Sequence, residues 1–257
     1  MHTPKESGHQ EEEGRLSTAS RLAVFARSFL LQSVWNPRGM QNVGFCFALM
    51  PVAPPESERA ERAAFLERHL KFFNTNPTLA SYVLGATAAA ERAGRGAAEA
   101  DDLKRALAGP LGMAGDGLFW GALRPFAALV GVLGVLAFPL YAAAAMLAIY
   151  NVPHVVLRWR GIVRGAELGG AAARDMLGPG FRELVSLLRA AAAVIGGLIV
   201  GWAIAGAGGG AEWRAVVVGV YFTLGVAAAR LSVPPTVIGI AGAIGGLVLM
   251  ATGVAGG

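Results

Sequence analysis

Polar side chains able to handle a ligand are concentrated in four short segments of an otherwise apolar chain. SFLLQSVWNPRGMQNVGF carries Asn36, Arg38 and Gln41, and HLKFFNTNPTLA carries Asn74, Thr75 and Asn76. GPLGMAGDGLFWGALRP carries Asp116, Trp120 and Arg124, and IYNVPHVVLRWRG carries Asn151, His154 and Arg158. Amides offer donor and acceptor together, so Asn36, Gln41, Asn74 and Asn76 suit sugar hydroxyls. The same residues also suit local structure, because Asn36 caps well before Pro37 and Gly39, and Asn74 with Pro77 ends a helix. Punctuation does not require three uncharged polar residues in a row, as Asn74, Thr75 and Asn76 are.

The third segment excludes some chemistry. Its glycines at 109, 112, 115 and 117 match neither a Walker A loop, which needs Gly-Lys followed by Ser or Thr, nor a dinucleotide fingerprint after a strand. Asp116 and Arg124 stand eight residues apart, about 12 Å along a regular helix, so they need not touch. Ionisable groups at membrane depth face protein or water and mark function by default, although either residue also works as an interfacial anchor. In the fourth segment, spacings of three and four put Asn151, His154 and Arg158 along one helical face. His154 is able to relay a proton or accept a phosphoryl group, yet no second histidine or carboxylate is spaced as its partner. Catalytic residues are therefore not expected, and the single Cys46 with no metal-ligand spacing points to no metal and no cofactor.

These segments need elements to hold them. Of 257 residues 54% are hydrophobic and only 15% charged, too apolar for an ordinary soluble domain and expected of a polytopic membrane protein. The formal charge of +5 reads as topology rather than nucleic-acid binding, since no basic stretch is interleaved with aromatics. Residues 1–14 read as a disordered cytoplasmic tail without a signal-peptide core. Residues 15–257 read as one all-α membrane domain. Its first part, 15–105, holds 12 of the 22 basic residues and two amphipathic stripes, Leu22, Phe25, Phe29 and Leu30, then Ala63, Leu66, Leu70 and Phe73.

The apolar stretch 77–90 is too short to span a core of roughly 30 Å and suggests a re-entrant or protein-buried hairpin. From 106 onward a transmembrane bundle is expected, with apolar runs at 118–137, 139–157, 190–211, 215–229 and 236–254, broken by Pro125, Pro139 and Pro153. Between 158 and 189 six arginines face three acids, a positive-inside signal that puts this loop in the cytoplasm. Alternation then puts Phe138 and Trp213 outside and Arg230 inside.

Taken in order, RSFLLQSVWNPRGMQ, FFNTNP, GPLGMAGDGLFWGALRP and NVPHVVLR, with the late LSVPP, resemble the IID component of the mannose/fructose/sorbose family of the bacterial phosphoenolpyruvate-dependent sugar phosphotransferase system (PTS). The resemblance implies a multi-pass inner-membrane subunit, with its N-terminus in the cytoplasm, that pairs with a IIC subunit, in oligomers of such pairs. It implies a hexose or amino sugar bound near midplane by broken elements, and phosphorylation by cytoplasmic IIA and IIB proteins rather than by this chain. Asn36, Gln41, Asn74, Thr75, Asn76, Asp116, Trp120 and Arg124 would then line translocation, with Asn151, His154 and Arg158 at a helix interface or cytoplasmic end. The chain departs from the family pattern at Arg38-Gly39, where Glu-Arg is common, and at Asn76, where histidine is usual. Those changes leave a second expectation open, a transport-deficient sensory or scaffolding subunit that keeps the IIC-binding fold.

Overall fold

The structure, a computed structural model, describes residues 16–206 and Thr223. The expected tail at 1–14, the runs at 215–229 and 236–254, and the expected positions of Trp213 and Arg230 lie outside these residues. Helix dominates the described residues, and the extended pairing recorded there consists of two isolated bridges, Asn36 with Met40 and Met40 with Phe73. Two helical runs, Gly96–Val135 and Pro139–Met176, are long and apolar enough to cross a membrane.

The chain divides into two compact units, Met1–Asp116 with Val152–Gly178, and Gly117–Asn151 with the stretch from Pro179. In the first unit α1 (Thr18–Ser28) starts where the Ser17 hydroxyl accepts the amide of Ser20 at 3.1 Å. Its core side is Val24 and Ser28, while Leu22, and beyond the helix Phe29 and Leu30, stay exposed. Much of the apolar stripe read from the sequence thus faces away from the core. Next come α2 (Asn42–Leu49) and α3 (Arg59–His69), which turns its Phe65 and His69 inward.

The stretch expected as a hairpin is a single helix, α4 (Ala80–Arg92), with ten residues buried, including Ser81, Tyr82 and Thr87. Thirteen residues rise about 20 Å, and a helix buried all round satisfies its backbone internally, so no reversal is needed. Helix α5 (Gly96–Gly115) packs along it and contains Pro110.

Helix α7 (Pro139–Leu168) enters this unit from Val152 and lies close against α4. Side chains at Gly161, Gly165 and Gly85 would run into Ser81, the Tyr82 carbonyl and the Ile162 carbonyl. The arginine-rich stretch expected as a loop is mostly helical, comprising the end of α7, a 3-10 turn Gly169–Ala171, α8 (Ala172–Met176) and the start of α9 (Pro179–Gly206). Arg164 ties α7 to α8 through Asp175 at 2.7 Å.

A π-helical segment, Asp116–Leu123, starts on the last residue of the first unit's opening stretch and leads into α6 (Arg124–Ala137) of the second. Its wide turn displaces the ordinary ladder, and Arg189 of α9 donates to the carbonyls of Gly121 at 3.3 Å and Gly117 at 3.4 Å. Helix α6 packs on α9. It also meets the start of α7 across Gly131 and Gly134, which face Met146 and Ala142. Phe138 makes the corner with φ −142° and ψ 71°, outside the α region that a following proline disfavours.

Candidate functional site

The site grows from one unusual backbone position. Met40 adopts φ 57°, and its amide and carbonyl pair with those of Asn36 at 2.8 and 3.2 Å. A bulky residue in this left-handed region is strained, so surrounding contacts must hold it. They do: Asn36 Oδ1 accepts the Gly39 amide at 2.7 Å, and Asn36 Nδ2 donates to Asn42 at 3.0 Å. The turn delivers Gln41 to the 73–76 strand-like segment, where its amide nitrogen donates to the Phe73 carbonyl at 2.9 Å.

The Gln41 side chain then makes a reciprocal pair with Thr75. Its Nε2 donates to the Thr75 carbonyl at 2.8 Å, and the Thr75 amide donates to its Oε1 at 3.1 Å. Thr75 Oγ1 continues the chain by donating to the Ala108 carbonyl at 2.7 Å. That carbonyl lies in α5 two residues before Pro110, whose ring removes an amide from the ladder near it. Asn76 Oδ1 accepts the Thr78 amide at 3.1 Å and shapes the turn into α4, while its Nδ2 donates to Asp116 Oδ1 at 3.0 Å. Gly115 makes this approach possible, because a side chain there would collide with Asn76.

Gln41, Thr75 and Asn76 are thus buried and occupied by the protein itself, whereas Asn74 and Asp116 are exposed and Asn36 is half-buried. In the first unit these six residues lie in the turn leading into α2, in the 73–76 segment and at the C-terminal cap of α5. Trp120 and Arg124 belong to the second unit, where both are exposed and the Arg124 guanidinium lies 4.9 Å from the Trp120 ring centre.

Of the fourth segment, Arg158 and His154 meet in the first unit at 3.0 Å, nitrogen to nitrogen. Arg158 is 3% exposed, donates to the Ser28 carbonyl and hydroxyl, and covers the Phe29 ring at 4.7 Å. The Arg158 guanidinium has no acceptor, so it donates to His154 Nε2 and occupies that nitrogen's lone pair. Asn151 instead donates to the Leu147 carbonyl one turn back on its own helix, at 2.8 Å.

Sequence reasoning missed three participants. Asn42 joins Asn36 to the Leu70 carbonyl, and Lys104 is buried with its ammonium on the Arg68 carbonyl at 2.6 Å. Glu91, at the end of α4, accepts two bonds from Arg68 at 2.8 and 2.7 Å and one from His69 at 2.8 Å. The signal for the last two was available: a basic residue at an apolar helical position of α5, and an acid closing an apolar helix.

A family model described as the PTS system mannose/fructose/sorbose family IID component matches residues 15–207. The PTS system mannose-specific EIID component of Escherichia coli strain K12 is 34% identical over 197 residues, 74% of this chain and 68% of that one. The sorbose-specific EIID component of Klebsiella pneumoniae is 31% identical over 196 residues, covering 74% and 70%. A cryo-EM structure of the mannose transporter ManYZ with microcin E492 superposes with a TM-score of 0.55 at 28% identity, over 95% of this chain and 98% of that one.

Proposed function

We propose that this chain, which belongs to the PTS mannose/fructose/sorbose family of IID components, works with a IIC subunit to bind a hexose or amino sugar and move it inward. Phosphorylation falls to a IIB protein charged by IIA, and the chain supplies binding and positioning, not catalysis. The observation that carries this reading is the buried Gln41–Thr75 pair together with the part-buried Asn76–Asp116 bond, which brace the 73–76 turn against the end of α5 while Asn74 and Asp116 stay exposed. Such bracing locks the rotamers of neighbouring groups, and a preorganised amide and carboxylate suit sugar hydroxyls, donor and acceptor respectively. On this reading Gln41, Thr75, Asn76 and Asn36 position the turn, while Asn74 and Asp116 in one unit and Trp120 and Arg124 in the other meet the sugar or the IIC subunit.

Uptake of radiolabelled glucose and mannose in cells lacking their own permease, carrying this chain with its IIC, IIB and IIA partners, tests the proposal. Asn74→Ala and Asp116→Ala should each lower uptake about tenfold, the value of one or two lost hydrogen bonds. Unchanged uptake in both variants removes these residues from the pathway. The second reading, a sensory or scaffolding subunit, is favoured by the glycine beside Arg38 and by Asn76, which the fold occupies with capping and with Asp116. An intact IIC complex that takes up neither sugar would select it.

A further inference from the structure

A cavity of about 310 Å³ opens in the first unit between the Lys71–Asn74 segment and the first half of α5, beside the braced turn. Its wall holds three cationic side chains, Lys71, Lys104 and Arg105, against one carboxylate, Asp101. Asp101 is shared, lying 2.5 Å from the Lys71 ammonium and 3.3 Å from that of Lys104. Arg105 pairs with Asp102 on the helix surface. Lys104 is 5% exposed, so its ammonium is fixed in the wall rather than waving in solvent. A buried lysine that shares its carboxylate with a second ammonium leaves uncompensated positive charge, which an entering anion would neutralise.

The rest of the lining is not that of a simple ion trap. Phe72, 64% exposed, offers a ring face, and Asn74 offers an exposed amide. An aromatic face, an amide and a cationic corner in one small cavity match a small polyol that carries a phosphoryl group.

Position agrees. Leu103, next to Lys104, packs on Gly170 of the 3-10 turn, which lies in the arginine-rich stretch that the positive-inside rule assigns to the cytoplasm. On that expectation this part of α5 lies toward the side where a phosphorylated sugar would be produced.

We propose that this cavity is a binding site for a monosaccharide phosphate, with Lys71, Lys104 and Arg105 holding the phosphoryl group, Asn74 a hydroxyl, and Phe72 a face of the ring. The choice of a sugar phosphate among phosphorylated ligands rests on the transport reading above. Charge-assisted bonds from two exposed cations and one buried one would hold the dianion.

Calorimetric titration of the full chain, co-purified with its IIC partner in nanodiscs of zwitterionic lipid, tests this with glucose 6-phosphate, inorganic phosphate and glucose. Lys104 is core, so the test uses the surface pair Lys71→Gln with Arg105→Gln, with the unfolding temperature as a control for intact structure. Glucose 6-phosphate should bind saturably, inorganic phosphate should compete more weakly, and the double variant should weaken binding about tenfold or more. No saturable binding, or binding undiminished in a folded double variant, overturns the proposal. Inorganic phosphate binding as tightly as glucose 6-phosphate overturns the assignment to a sugar. Glucose uptake, measured separately in cells, tells the two readings apart. Uptake without glucose 6-phosphate binding sinks the cavity proposal alone, and binding without uptake sinks the transport reading while supporting the cavity.

Discussion

Glu91 is the residue on which the first unit's polar interior turns. Its side chain is 6% exposed, and three charge-assisted or neutral bonds from Arg68 and His69 converge on it. Burial alone would raise its pKa, but the hydrogen bonds from Arg68 and His69 win and hold it at about 2. Burial also pushes the His69 imidazole below its ordinary value, against the pull of Glu91. His69 is therefore neutral at pH 7, and its contact with Glu91 is a hydrogen bond rather than an ion pair.

The sign follows from the depressed carboxylate. Its contribution to stability is complete above the unfolded value near 4.5 and is lost as pH falls toward about 2. Glu91→Gln should lower stability at pH 7 by about 1–3 kcal/mol, because it leaves the half-buried Arg68 guanidinium without its carboxylate. Thermal unfolding of the detergent-solubilised complex checks this. The wild-type unfolding temperature should drop between pH 5 and 2 more steeply than that of the variant, and parallel curves would refute the assignment. An acid closing an apolar helix was visible in the sequence, but its partners were not, since Glu91 lies more than twenty positions from both and only folding brings α3 and α4 together.

At the scale of elements, close backbone approach is what joins α4 to α7. Gly165 faces the Tyr82 carbonyl and Gly85 the Ile162 carbonyl, with no room for a methyl group. Tyr82 lies deeper in the same contact and reaches Met176 with its hydroxyl at 3.4 Å. Gly165→Ala should therefore cost about 1–3 kcal/mol through overpacking. Gly109 provides the contrast, because a side chain there meets open space within α5. Gly109→Ala should be neutral or stabilise by up to about 1 kcal/mol through reduced chain entropy. Melting temperatures of the two variants in the IIC complex should move in opposite directions, and equal losses would show that glycine content, not contact, is what matters. Small residues near 161–165 and 85 were visible in the sequence, but their pairing was not. Likewise the amphipathic stripe of α1 was readable as a period, while which face meets the core required Val24 and Ser28 to be seen packed.

For the whole molecule, topology is the property most open to direct measurement. Six arginines lie between 158 and 189, and for that stretch, helical though it is, the positive-inside rule predicts a cytoplasmic location. The chain has one cysteine, Cys46, and it is buried, so an added thiol reports with little background. Gly180→Cys, at an exposed position with open space around it, should react with a membrane-impermeant maleimide in inverted vesicles and not in intact spheroplasts. Labelling from the outer face would reverse the orientation and remove the cytoplasmic placement of the basic cavity. Exposed apolar side chains such as Val132, Val135, Leu140 and Tyr141 in the second unit belong to the same picture, since a surface facing lipid or a IIC subunit has no reason to be polar.

The sequence by itself determined the class and the family, because hydropathy, arginine asymmetry and four motifs in order are written along the chain and need no third dimension. It also singled out the polar residues of those motifs as candidates. Tertiary structure decided their duties. Gln41 and Thr75, thirty-four positions apart, became a buried reciprocal pair, Asn76 became both cap and partner of Asp116, and Lys104 became the fixed wall of a cavity. The physical reason is that a polar group's role is set by what saturates its hydrogen bonds. Along the chain an amide is only a capacity to donate and accept, and burial against a particular neighbour decides whether the protein or a ligand uses it.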